Sequence, residues 1–344
     1  MYATPTARTA TFAPRRPGAT RAMSRVAVLG AGAWGTAIAA VLSSRLEVTL
    51  WARDPAQAER LASSRRNERY LPGIEFPDSL GITSQFEKTV DGAALILAAS
   101  PVAGLREIAQ RLAADAPLVW LCKGFEEGTG LLPHQLVAQQ RSGALSGPSF
   151  ADEVARGLPC ALTLASRYEG FARDAAALLH GGRLRVYYSA DLVGVEIGGA
   201  VKNVMAIAAG ISDGLGLGQN ARAALITRGL AEIARLGAAL GGKPETFFGL
   251  AGAGDLILTC TGELSRNRRV GLGLAKGLPL KKILGDLGHV AEGVRSAKEV
   301  LRLAQSKGVE MPVSEAVAAV LDGCLAPGAA VERLLSRDPK PEGS

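Results

Sequence analysis

The chain has 344 residues, 48% of them apolar, 21% charged and only 5% aromatic, with 42 glycines and a net charge of +7. That length suits two globular parts with separate cores. Cys122, Cys160, Cys260 and Cys324 show no C-x-x-C spacing and there are three histidines, which argues against a disulfide framework or a zinc site and fits a reducing cytoplasm.

Residues 1–22 hold four arginines and no acid, which leaves +3 for the remainder. With no aromatics interleaved among the basic residues, a nucleic-acid partner is not expected. The same 22 residues lack the apolar run of a secretory signal and read as a disordered extension before Met23. Residues 339–344 read as a tail.

Arg25 to Gly30 (RVAVLG) reads as a strand, Gly30-Ala-Gly32-Ala-Trp-Gly35 as a turn, and Thr36 to Ser43 as a helix. Strand, G-x-G-x-x-G and helix form the context of a dinucleotide fingerprint. Gly30 permits the turn, Gly32 lets the backbone approach the pyrophosphate, and Gly35 lets helix and strand pack. Val48 to Trp51 reads as the second strand, and Arg53 follows it about where an NAD site carries an acid for the ribose hydroxyl. Arg53 favours a 2′-phosphate, hence NADP; Asp54 keeps NAD open unless it caps the helix starting at Pro55.

Ala94 to Ala99 and Leu118 to Leu121 read as strands around a helix at Pro101 to Ala113. Ala144 to Ser146, Cys160 to Ala165 and Leu184 to Tyr188 continue the pattern. This alternation predicts an α/β fold with a Rossmann-like, doubly wound parallel sheet over residues 23–190. By position alone Lys123, after a strand, is an ordinary surface lysine or a ligand contact.

From residue 191 the strands stop and an all-α part extends to residue 338. Helices are predicted over Val193 to Ala209, Arg222 to Leu240, Arg266 to Lys276, Gly293 to Lys307 and Pro312 to Asp322. Lys202 stands in the middle of the first, where small and apolar residues surround it. An ammonium buried there either snorkels or has its pKa tuned for proton transfer. Glu196 and Lys202 interrupt the apolar run, so a membrane span is not expected. Asp255 and Thr259 lie four apart, and Ser265-Arg266-Asn267 opens a helix, an arrangement suited to phosphate. Alone, these are equally a turn acid and a solvated basic face.

Seven stretches in order resemble the bacterial type of NAD(P)-dependent glycerol-3-phosphate dehydrogenase: GAGAWGTA from Gly30, RYLPG from Arg69, CKGFE from Cys122, SGPSFADEVA from Ser146, the run Val195 to Glu232, AGAGDLILTC from Ala251, and SRNRRVG from Ser265. The resemblance implies reduction of dihydroxyacetone phosphate to sn-glycerol 3-phosphate, the head-group precursor of phospholipids. It implies that Lys202 exchanges the proton, that Lys123 contacts substrate, and that Asn203, Asp255 and Thr259 orient lysine and substrate. Gly147, Ser149, Ser265, Arg266 and Asn267 are implied to bind substrate, with Arg266 and Asn267 clamping phosphate. Gly30, Gly32, Ala33, Trp34, Gly35, Arg53, Tyr70, Lys123, Ala151, Arg266, Val290 and Glu292 are implied to meet NADP or NAD. Ala33 departs from the family's frequent serine, which removes a side-chain bond to the pyrophosphate. A homodimer is expected from the apolar helical faces. A hydroxyacyl-CoA type of dehydrogenase would instead lean on a His-Glu pair, and His134, His180 and His289 lie outside the lysine constellation. A hydroxyacid or ketopantoate type of dehydrogenase and a nucleotide-binding module without chemistry are the remaining alternatives.

Overall fold

The computed structural model describes residues 24–288 and 291–338. The 1–22 extension, Met23, His289, Val290 and the 339–344 tail lie outside the described residues.

The first part begins with β1 (Arg25–Leu29), α1 (Ala33–Leu42), β2 (Glu47–Trp51) and α2 (Pro55–Ser64). A small hairpin of β3 (Arg66–Asn67) and β4 (Leu71–Glu75) leads to β5 (Leu80–Thr83). Next come α3 (Phe86–Val90), β6 (Leu95–Ala98), α4 (Val102–Gln110) and β7 (Leu118–Trp120). After a long loop with one 3₁₀ turn at Pro133–Gln135, the sheet closes with β8 (Ser142–Ser146), α5 (Ala151–Ala155), β9 (Cys160–Ala165), α6 (Glu169–Leu179) and β10 (Leu184–Ser189).

All of these strands but β3 and β4 form an eight-stranded sheet in the order β10-β9-β8-β7-β6-β1-β2-β5. The chain winds outward from β1 in one direction and returns to β6 on its other side, so the carboxyl ends of β1 and β6 flank the switch point where such sheets bind ligands. β6 is buried along its whole length, as a strand covered on both faces should be. One pair departs from the expected parallel sheet: β8 and β9 run antiparallel. Only the short α5 lies between them, and it packs against α1. The hairpin and β5 were not among the expected strands, because their short sequences lack a sustained apolar run.

The second part is helical: α7 (Leu192–Gly214), α8 (Gly218–Ala239), α9 (Pro244–Phe248), a π-helical turn at Leu250–Gly254, α10 (Asp255–Thr261), α11 (Arg266–Ala275), α12 (Leu280–Leu287), α13 (Glu292–Ser306), α14 (Pro312–Leu321) and α15 (Pro327–Leu335). α7 is its axle. Asp191 caps it, its carboxylate accepting from the Gly194 N–H at 2.9 Å. By length and composition α7 could cross a membrane, yet 94% of its apolar window is buried inside the protein. α11 lies so close that a β-carbon on Gly210 would meet the Arg268 carbonyl oxygen at 2.0 Å.

Candidate functional site

At the end of β1 the backbone of Gly30 takes a φ of 123°, and a β-carbon there would lie 2.8 Å from the Ala99 carbonyl oxygen. Gly35 is equally constrained, since a β-carbon would meet the Gly30 carbonyl oxygen at 2.0 Å. Gly32 differs, because the space beside it is open, and it caps α1 without a side chain. The first-turn N–H groups of α1, with half-buried Ala33 and Trp34, therefore border a cradle shaped for a pyrophosphate. α1 starts at Ala33, three residues before the expected Thr36, because the turn finishes within Gly30 to Gly32.

A residue that sequence reasoning missed holds this loop. Asn67 is buried and donates from Nδ2 to the Ala31 carbonyl at 3.0 Å and to Thr36 Oγ1 at 2.8 Å. It sits just before the singled-out RYLPG stretch, which was the available signal. Arg53 stands exposed beyond β2 with no hydrogen bond or ion pair among the described residues. Asp54 caps α2, its Oδ1 accepting from the Ala56 N–H at 3.0 Å. The half-buried Tyr70 ring lies between β3 and β4, 5.1 Å beneath the Arg69 guanidinium.

Beyond the carboxyl ends of β7 and β8, residues far apart in sequence converge. Lys202 Nζ, on α7, donates to Asp255 Oδ1 at 2.5 Å and to Thr259 Oγ1 at 2.8 Å. Lys123 Nζ reaches the other carboxylate oxygen at 2.5 Å and the Gly147 carbonyl at 3.2 Å. Thr259 in turn donates to the Asp255 carbonyl at 2.6 Å. Asp255 opens α10 where the π-helical turn ends, and the small residues of that turn let it press on α7. Burial pushes the Lys202 ammonium down to about 8, the Asp255 charge opposing this and the Lys123 charge assisting it. Burial alone would push the Asp255 carboxyl up, but the two lysines outweigh it and hold it below the usual value. A buried lysine that keeps its proton at neutral pH yet can release it is a fit acid for a carbonyl oxygen.

Asn203, the next residue on α7, accepts at Oδ1 from Asn267 Nδ2 at 2.9 Å, and Asn267 Oδ1 accepts from the Gly293 N–H at 3.0 Å. This amide relay ties α7, α11 and α13 together and occupies part of the Asn267 side chain. Ser265 caps α11, its Oγ accepting from the Arg268 N–H at 3.3 Å. Arg266, the first residue of that helix, is exposed and makes no hydrogen bond or ion pair among the described residues. Glu292 begins α13 close to Gly124; burial pushes its carboxyl up to about 7 against the charges of Arg266, Lys123 and Lys202. Ser149 Oγ donates to the Gly147 carbonyl at 3.1 Å, and Ala151 starts α5. The structure thus joins Lys123, Gly147, Lys202, Asp255 and Thr259 by direct bonds, with Ser149 on the same carbonyl. It places Asn203, Asn267 and Ser265 in supporting bonds and sets the nucleotide-loop residues apart around β1. His134, expected outside the constellation, lies in the loop that carries Lys123 and pairs with buried Glu196 of α7.

A glycine-rich loop at the switch point of a Rossmann-type sheet, followed by a helical part with a buried lysine–aspartate pair, defines the class of nucleotide-dependent oxidoreductases. The family models described as NAD-dependent glycerol-3-phosphate dehydrogenase N-terminus and C-terminus match residues 25–172 and 191–332. The chain is 58% identical to glycerol-3-phosphate dehydrogenase [NAD(P)+] of Dechloromonas aromatica over 92% of its length and 99% of the relative's. To the protein of that name from Aromatoleum aromaticum it is 59% identical, over 92% of this chain and all of the relative. The crystal structure of glycerol-3-phosphate dehydrogenase from Coxiella burnetii superposes with a TM-score of 0.86 at 43% identity, covering 92% of this chain and 99% of that one. The chain belongs to the NAD-dependent glycerol-3-phosphate dehydrogenase family, whose members use NAD or NADP.

Proposed function

We propose that this chain reduces dihydroxyacetone phosphate to sn-glycerol 3-phosphate, reversibly, and so supplies the head-group precursor of phospholipids. One observation carries the reading: two lysines hold the two oxygens of one buried carboxylate, with an unpaired arginine at the start of a nearby helix. The nicotinamide, when bound, supplies the hydride. Lys202 gives its proton to the ketone oxygen and takes it back in the reverse direction. Asp255 and Thr259 aim its ammonium, and Lys123 adds positive charge where the alkoxide develops. Arg266 and the free N–H groups at the start of α11 hold the phosphate. Asn203 and Asn267 keep that helix in register with Lys202.

The loop from Gly30 to Gly35, Trp34 included, suits the dinucleotide; in this reading Tyr70, Ala151 and Glu292 meet it too, and Lys123 and Arg266 serve both ligands. Unpaired Arg53 beyond β2, with Asp54 engaged in capping, supports NADP over NAD. In this reading residues 23–190 hold the cofactor and residues 191–338 the substrate. A homodimer and a cytoplasmic location complete it, supported by exposed Leu217 and Leu335 on the helical part and by four unpaired thiols.

The test follows NADPH absorbance after addition of dihydroxyacetone phosphate, with NADH and unphosphorylated dihydroxyacetone run alongside. Rapid loss that requires the phosphate is expected. No loss with either nucleotide, in folded protein, overturns the reading.

A further inference from the structure

The loop from Leu121 to Arg141 carries Lys123 but contains little regular structure, so something must fix it against the helix that carries Lys202. Its polar attachments include Glu126 to Arg106 at 2.7 Å and the Gly128 N–H to Glu299 at 3.3 Å. A different attachment reaches α7. The His134 N–H donates to Glu196 Oε1 at 2.9 Å, and His134 Nδ1 bonds the other carboxylate oxygen. The Glu196 side chain is buried, 3% exposed, and that of His134 nearly so, 9% exposed. Among the described residues this is the side-chain pair that joins the loop to α7.

The geometry of α7 carries the consequence to the lysines. Gly199, one turn beyond Glu196, lies under the Lys123 stem: a β-carbon there would come within 3.3 Å of Lys123 Cγ. Lys202 follows one turn later. In a helix rising 1.5 Å per residue, Glu196 and Lys202 are about 9 Å apart along the axis. Glu196, Gly199 and Lys123 also line one small cavity with Cys122 and Ser146. The anchor, the notch for the stem and the proton donor are thus three successive turns of one rigid helix.

We infer that His134 and Glu196 are a positioning pair, which locks the Lys123 loop to α7 and so keeps Lys123 and Lys202 on opposite oxygens of Asp255. Neither touches the reacting atoms. Their effect passes through Lys123, whose charge helps to hold down the affinity of Lys202 for its proton. The groups facing Lys202 are Lys123 from the loop, Asp255, Thr259 and Cys260 from α10, and Glu292 from α13. Those facing Glu196 are His134 from the loop, Trp120 from β7, and Cys122. The inference rests on Lys202 being the proton donor.

The test compares wild type, His134→Ala, Glu196→Ala and Glu196→Gln in steady-state reduction of dihydroxyacetone phosphate from pH 6 to 10, with NADPH affinity and thermal midpoint measured on each. A displaced Lys123 relieves repulsion on Lys202, so the alkaline limb of the kcat profile should move to higher pH in both alanine variants. A fall in kcat of about tenfold should accompany it, as a small misplacement costs, with NADPH affinity retained. Glu196→Gln keeps an acceptor for the His134 N–H and a donor for Nδ1, and should restore both. If an alanine variant does not fold, His134→Phe keeps the ring volume, deletes the Nδ1 bond, and should show the same displaced limb. Folded variants with an unmoved limb overturn the inference, even if less stable. Full turnover by Lys202→Ala would instead overturn the assignment of the proton donor.

Discussion

The nucleotide loop and the lysine site are built in opposite ways. The loop is made of backbone: Gly30, Gly32 and Gly35 work by lacking side chains, and the free N–H groups of α1 face the cradle. The site is made of side chains from four separated segments, at Lys123, Lys202, Asp255 with Thr259, and Arg266. A backbone device has its shape set by local sterics and tolerates changes in nearby side chains. A side-chain device depends on long-range packing, because each group must be delivered by a different element. Damage to the two should therefore look different: graded loss of binding at the loop, and steep loss of turnover at the site.

Lys202→Ala should produce the largest effect, a fall in kcat of about a thousandfold with NADPH affinity little changed, since it deletes the proton donor. Stopped-flow turnover and nucleotide fluorescence titration separate the two quantities. Arg266→Ala should come next, raising KM for dihydroxyacetone phosphate by roughly ten- to a hundredfold through loss of a charge-assisted contact. An unchanged KM would place the phosphate elsewhere. On the loop side, Arg53→Ser should reduce the NADPH-to-NADH preference in kcat/KM by about tenfold, measured with both nucleotides under one set of conditions. Asn67→Ala should cost about 1–3 kcal/mol of unfolding free energy by stranding Thr36 Oγ1 and leaving the Ala31 carbonyl with Gln57 as its side-chain donor, and should weaken NADPH binding modestly. The pH profile sharpens the contrast further. The proton donor must be charged for reduction, so its rate should fall as pH rises through about 8, whereas glycerol 3-phosphate oxidation should rise over the same range.

How much of this was legible in the sequence follows from the same contrast. Strand, glycine loop and helix are contiguous, so their arrangement was readable, as was the capping of α2 by Asp54. Lys202 declared itself as a charge in an apolar helix. The π-helical approach to Asp255 and the sharing of its carboxylate between two lysines were not readable, because they arise when α10, α7 and the β7 loop meet. Nothing local marks Asn67, whose worth lies in two acceptors over thirty residues upstream. Glu196 stood out only as a break in an apolar run, since nothing local ties it to His134, 62 positions away. The antiparallel step between β8 and β9 was not readable either, because apolar patterning does not record strand direction.

The sharing of Asp255 also has a consequence for the catalytic cycle as a whole. Two ammoniums on one carboxylate carry a net charge of +1, and when Lys202 gives up its proton the cluster becomes neutral rather than anionic. Lys123 still compensates the aspartate at that moment, so the buried carboxylate is never left without a counterion, a state that is costly elsewhere. With only one lysine, each turnover would pass through an isolated carboxylate, and the site would have to admit water or rearrange to survive it. The second lysine acts as a standing counterion, and lets the proton come and go while the scaffold stays still.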